Sequence, residues 1–178
     1  MNYTNYFKTL NRLILDVDVS QLQEIALRIL EASNQGNKVL IFGNGGSSAI
    51  ASHLSVDLSN AAGIPANAYC DSSMITCLAN DYGYENWITK IVEIHGIAND
   101  VAIFISSSGE SENMIRGSKA ATAKGIKVFT FSGFKADNRL SKQGLVNMHC
   151  SSEIYNFVEN VHQVWVLSIV DSIRGLQI

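Results

Sequence analysis

Val39-Leu40-Ile41-Phe42-Gly43-Asn44-Gly45-Gly46-Ser47-Ser48 joins an uninterrupted apolar run to a loop of glycine and serine, and a helical pattern begins at Ser47. An apolar run bounded by glycine reads as a strand buried on both faces, the kind found in a parallel sheet covered by helices. The pattern recurs downstream, where Val101-Ala102-Ile103-Phe104-Ile105 runs into Ser106-Ser107-Ser108-Gly109-Glu110-Ser111. Glycines let the backbone approach an oxyanion, and the N-H groups and dipole at a helix start favour negative charge. Two such junctions predict an anion site, most simply for the phosphate of a small metabolite.

Outward from these junctions, apolar runs alternate with helical stretches. Strands are expected at 38–42, 66–70, 100–105, 126–131 and 145–149. Helices are expected from Ser47, at 73–80, 85–97 and 111–124, near Ala136, and over 153–174. The alternation predicts an α/β fold, a three-layer sandwich. Ahead of the first strand, residues 3–16 and 19–34 carry apolar positions at helical spacing, with Asp18 or Ser20 as a cap and Gly36-Asn37 as a stop. This hairpin precedes the sheet's crossovers, so it must pack on one side or against another subunit. With one proline, Pro65, and no low-complexity stretch, residues 1–178 read as one domain, a hairpin over 1–36 and an α/β sandwich over 37–178.

Composition narrows the partners. A net charge of -3 with only 13 Lys and Arg in 178 residues argues against a nucleic-acid surface. The three cysteines, Cys70, Cys77 and Cys150, lack CxxC spacing and an even count, which fits a reducing compartment. No run approaches a membrane span and no signal-peptide pattern opens the chain, so a soluble cytoplasmic protein is expected. Neither loop carries the lysine of a P-loop, and Ser48 replaces the third glycine of a dinucleotide fingerprint. No nucleotide cofactor is expected.

Acid–base candidates sit on the helices. His53 and Asp57 are four residues apart and share a face, as do Glu159 and His162 at a spacing of three. A carboxylate with an imidazole suits aldose–ketose isomerisation, which moves a proton between adjacent carbons. The plainer readings are a helix-surface contact for His53 and Asp57 and a buried structural pair at an interface for Glu159 and His162.

Four ordered segments carry a resemblance over most of the chain. They are Gly43-Asn44-Gly45-Gly46-Ser47 followed by His53, Ala79-Asn80-Asp81-Tyr82-Gly83-Tyr84-Glu85, Ser106-Ser107-Ser108-Gly109-Glu110-Ser111, and Glu159-Asn160-Val161-His162. Together they resemble the SIS (sugar isomerase) domain of the phosphoheptose isomerase type. The resemblance implies a Rossmann-like sheet of five parallel strands and a homotetramer assembled partly through the N-terminal helices. It implies conversion of sedoheptulose 7-phosphate to D-glycero-D-manno-heptose 7-phosphate for surface polysaccharide. Substrate and phosphate contacts are implied at Ser47, Ser106, Ser108 and Ser111, with Asn44, Gly45 and Gly46 in the first loop, Ser107 in the second, and Asp81 as a substrate-binding carboxylate.

His53 falls on the family position that supplies a zinc ligand in some members, and Asp57 stands where the family has its catalytic glutamate. The last helix departs from the pattern. The family has Gln-Glu-x-His and a second histidine five residues on; here the residues are Glu159-Asn160-Val161-His162 and Leu167. Leucine neither transfers a proton nor ligates a metal. Phe157-Val158-Glu159 replaces Arg-Ile-Gln, and Ile50 replaces an acidic residue. Glu159 is then the expected substitute base, Asp57 and His162 complete the catalytic set, and His53, Asp57 and Glu159 are the expected zinc ligands. The alternative is a non-catalytic phosphosugar-binding or scaffold protein, of the sensor or replication-initiator-associating type.

Overall fold

A computed structural model describes residues 2–176; Met1, Gln177 and Ile178, the ends of the expected domain, lie outside the described residues. Five parallel strands, β1 (Val39–Gly43), β2 (Ala66–Ala68), β3 (Val101–Ser106), β4 (Lys127–Ser132) and β5 (Val146–His149), pair in the order β2-β1-β3-β4-β5. Seven helices accompany them: α1 (Tyr3–Leu15), α2 (Val19–Asn34), α3 (Gly46–Asn60), α4 (Ser72–Tyr82), α5 (Trp87–His95), α6 (Glu112–Ala123) and α7 (Tyr155–Ile173). Chain direction across the sheet reverses between β1 and β3, and in such sheets the crevice beyond the carboxyl ends of those two strands is the binding place.

Strand residues alternate between two cores. Ile41, Ile103 and Phe129 join the first, with Ile25 and Ile29 of α2, Leu54 of α3 and Trp165 of α7. Leu40, Phe42 and Phe104 join the second, with Trp87 and Ile91 of α5 and Met114 of α6. The sandwich therefore has three layers. The N-terminal hairpin packs on one side of it, along α7, where Trp165 Nε1 donates to the Ile14 carbonyl at 3.0 Å. Asp18 is the cap of α2, its carboxylate accepting the Ser20 N-H at 3.0 Å.

The two serine loops are set side by side from the far end of their strands. Asp100, fully buried just before β3, accepts from Lys38 N at 3.1 Å, Lys38 Nζ at 2.7 Å, Ile97 N at 2.9 Å and Asn37 Nδ2 at 3.2 Å. Burial pushes this carboxyl up, but the hydrogen bonds from Lys38, Ile97 and Asn37 outweigh it and hold the group below its ordinary value. The clamp locks the start of β1 to β3, and the register then pairs Val39 with Val101 and Gly43 with Ile105. Both strands end together.

One expected element is absent. The segment near Ala136 is a bend and turn, and the nearest helical turn is a short 3-10 segment, Leu140–Lys142. Asn138 organises this loop instead. Its Nδ2 donates to Ser132 Oγ at 3.0 Å and the Lys135 carbonyl at 2.8 Å, while its Oδ1 accepts the Ser141 N-H at 2.9 Å. Side-chain hydrogen bonds to nearby backbone compete with helix formation. The second strand is also shorter than expected, ending at Ala68.

Candidate active site

A cavity of about 280 Å³ opens at the carboxyl ends of β1 and β3. One wall is Asn44, Gly45, Gly46 and Ser47; the facing wall is Ser106, Ser107, Ser108 and Ser111; Tyr155 and Glu159 of α7 close it. The structure thus brings together every expected loop residue and Glu159.

Local backbone chemistry builds the first wall. Gly45, at φ +55, is the N-cap of α3, a left-handed position suited to glycine. Gly43 has no room for a side chain, because a Cβ there would land on the Ser47 carbonyl as the chain doubles back into the helix. Gly46 is equally tight, since a Cβ would meet the Glu159 carboxylate. That carboxylate therefore lies over the first turn of α3, where the helix dipole favours negative charge.

The second wall presents hydroxyl donors. Ser106 Oγ accepts the Gly109 N-H and Ser108 Oγ accepts the Glu110 N-H, each at 3.3 Å. Accepting from the loop's own amides leaves both hydroxyl hydrogens free to donate to an anion. Ser111 is the N-cap of α6 yet makes no side-chain capping bond, and the buried Ser107 Oγ has no partner among the described residues. The lining contains no lysine or arginine. A bound phosphate would be held by hydroxyls, amides and two helix N-termini.

The two loops are tied across the cavity. Asn44 Nδ2 donates to Asn113 Oδ1 at 3.1 Å, and Asn113 Nδ2 returns a bond to Asn44 Oδ1 at 3.0 Å. Tyr84 OH donates to the same Asn44 oxygen at 3.1 Å. Sequence reasoning missed Asn113, Tyr84 and Tyr155. Tyr155 carried a signal, since it stands one helical turn before Glu159 on the same face of α7. Asn113 carried none, being one polar residue among several on α6.

Other expected residues lie elsewhere. Asp81 is exposed on α4, its carboxylate accepting from Asn80 Nδ2 at 3.0 Å, and does not line the cavity. His162 is withdrawn from the catalytic set. It is fully buried against Phe131 and Trp165, and its Nε2 donates to the Ser132 carbonyl at 3.0 Å, which fixes the tautomer. Three residues beyond Glu159, it has turned into the core.

Burial lowers the His162 imidazole to about 4, with a further push from His149 and an opposing one from the Ser132 bond. The unfolded ring titrates near 6.5. Between these values the unfolded chain binds a proton that the folded chain does not. Stability is therefore complete above pH 6.5 and falls as the pH drops toward 4, by about 3 kcal/mol from this group. Denaturant midpoints from pH 7.5 to 4.5 should decline, and the decline should shrink in His162→Gln. Equal slopes for both proteins would refute the assignment.

The expected zinc set does not fit. His53 Nδ1 accepts from Gln163 Nε2 at 3.2 Å, which leaves the ring hydrogen on Nε2, facing Asp57 Oδ2 at 3.4 Å. A metal on this imidazole would have to displace Gln163 or Asp57 from its ring nitrogens. Among the described residues no three His, Cys, Asp or Glu side chains gather in a way that would hold an ion. The i,i+4 spacing of His53 and Asp57 makes a helix-surface pair, and Glu159 does not join it.

A sequence model of the SIS domain matches residues 2–133. This chain belongs to the SIS domain family. Among curated relatives, it is 37% identical to a phosphoheptose isomerase of Thermodesulfovibrio yellowstonii over 131 residues, 70% of this chain and 65% of that protein. It is 40% identical to a phosphoheptose isomerase of Proteus mirabilis over 131 residues, 70% of this chain and 68% of that protein. The chain thus spans about two thirds of these relatives' lengths. The structure superposes on the phosphoheptose isomerase of Neisseria gonorrhoeae with a TM-score of 0.91 at 25% identity, covering 98% of this chain and 97% of that one. The corresponding enzyme of Francisella tularensis gives 0.90 at 25% identity with the same coverage. The SIS match ends at residue 133, so Tyr155 and Glu159 lie beyond it.

Proposed function

We propose that the chain is an aldose–ketose isomerase acting on a phosphorylated sugar, sedoheptulose 7-phosphate, with D-glycero-D-manno-heptose 7-phosphate as product. The observation that carries this reading is a carboxylate, Glu159, facing a cavity whose other walls are hydroxyl and amide donors. The named relatives support the choice of sugar. Ser106, Ser108 and Ser111 take the phosphate at the start of α6, and the reacting carbons lie toward Glu159 and Ser47 at the start of α3. Glu159 removes a proton from C1 of the ketose, giving an enediol. It returns a proton to C2, and a hydrogen passes from the C1 oxygen to the C2 oxygen, which leaves the carbonyl at C1 and completes the aldose. Donors at the start of α3 stabilise negative charge developing on those oxygens.

His53 and Asp81 are exposed and Asp57 half-buried in the single chain, and α4, which packs Ile75 and Leu78 on the core, leaves Met74 and Tyr82 exposed. Tyr3 and Phe7 of α1 are likewise exposed. These unpartnered apolar faces support a homotetramer. The three cysteines are free, in keeping with a cytoplasmic location, and among the described residues no helix is long and apolar enough to cross a membrane.

The test is to incubate purified protein with sedoheptulose 7-phosphate, with and without chelator, and follow the sugar by NMR. Turnover is expected in both samples. Saturable binding with no turnover in either would transfer the chain to the phosphosugar-binding class. Light scattering on the same sample should report a tetramer, and a monomer would remove that assembly.

A further inference from the structure

A second cavity, of about 250 Å³, begins on the far side of Ser108 and is lined also by Glu110, Phe134, Lys135 and Glu153. Ser108 lines both cavities. Beside it stand two rings, Tyr155 facing the first cavity and Phe134 the second, 4.9 Å apart and edge-to-face at 66°. Ser108 and this ring pair are what lies between the two spaces.

Phe134 is held in place at a conformational cost. Its φ is +57, a left-handed backbone that a bulky residue rarely adopts. Its N-H donates to the Ser152 carbonyl at 2.9 Å, tying the loop after β4 to the segment that leads into α7. Strain of this kind persists where the surroundings over-determine it, and it gathers at ligand clamps. Tyr155 lies one turn before Glu159 on α7, so the rings stand next to the carboxylate, on the Ser108 side of the cavity.

We propose that the Phe134–Tyr155 pair is a partition that closes the phosphate end of the site and makes it selective for a terminal phosphate monoester. This rests on the phosphosugar reading above. A phosphate held by Ser108 turns any further ester substituent toward the second cavity, and the rings stand in its path. On the far side Glu110 and Glu153 outnumber Lys135 and would oppose a second phosphate, as in a diphosphate-linked sugar.

The test compares sedoheptulose 7-phosphate with its phenyl phosphodiester, in the ratio of kcat/KM values followed by NMR and in the ratio of Kd values from calorimetry. Wild type should prefer the monoester by about a hundredfold or more, and Tyr155→Ala and Phe134→Gly should each reduce that preference at least about tenfold. Glycine accepts φ +57, so Phe134→Gly removes the ring and keeps the backbone. Tyr155→Phe retains the wall and should retain the wild-type preference. An unchanged preference in both Tyr155→Ala and Phe134→Gly would overturn the proposal, as would a Tyr155→Phe shift equal to that of Tyr155→Ala. Were the wild type to bind both compounds and isomerise neither, the Kd ratios would carry the same test, and only the isomerase reading would fall.

Discussion

Glu159→Gln should lower kcat for sedoheptulose 7-phosphate by roughly 10²–10⁴-fold, the usual worth of a positioned general base. The amide keeps the size of the side chain and its seat against Gly46, so the cavity wall stays in place while the proton acceptor is lost. Binding of the sugar phosphate should hold within about threefold, because removing a carboxylate from an anion site costs no attraction. Kinetics and calorimetry on the same preparation separate the two quantities. Full turnover in the variant would remove Glu159 from the mechanism and return the proton transfer to groups outside the cavity of a single chain, with His53 and Asp57 first among them. The effect should be large because His162 has no access to the cavity and position 167 is leucine.

Gly43→Ala should be the most damaging single methyl in the first loop. The added carbon would meet the carbonyl group of Ser47 and the amide nitrogen of Ser48. These are backbone atoms at the start of a helix and cannot rotate away. Overpacking against backbone should cost about 3 kcal/mol, a fall of about 10 °C in melting temperature for a chain of this size. Relief requires the start of α3 to lift, carrying Ser47 out of the cavity, so affinity for the sugar phosphate should fall at least about tenfold. A melting temperature within about 2 °C of wild type, with affinity retained, would show that the turn has slack.

The centre of the sheet was legible in the sequence because β1 and β3 are continuous apolar runs, buried by helices on both faces. The cavity's serines were legible for a related reason, since each loop follows such a run directly. The loop after β4 was misread because Lys135-Ala136-Asp137 has ordinary helical propensity. Its shape is instead dictated by the side chain of Asn138 reaching back to Ser132, a contact that propensity does not register. On α7, residue spacing placed Glu159 and His162 on neighbouring positions, but a step of three residues is enough to pass from the cavity rim into the core. His53 and Asp57 were paired correctly by spacing alone. Whether that pair meets a ligand depends on α3's surroundings, which no spacing rule contains. Asn113 and Tyr84 were invisible because each acts through Asn44, many residues away in sequence.

The reciprocal amide bonds between Asn44 and Asn113 resemble a small base pair joining the end of β1 to the first turn of α6. This clasp sets the gap between the serine walls through contacts of the chain with itself. Little chain freedom remains to be surrendered on binding. Association should therefore be fast and carry a small entropic penalty, with loss of the clasp appearing as a slower on-rate and a costlier ordering step.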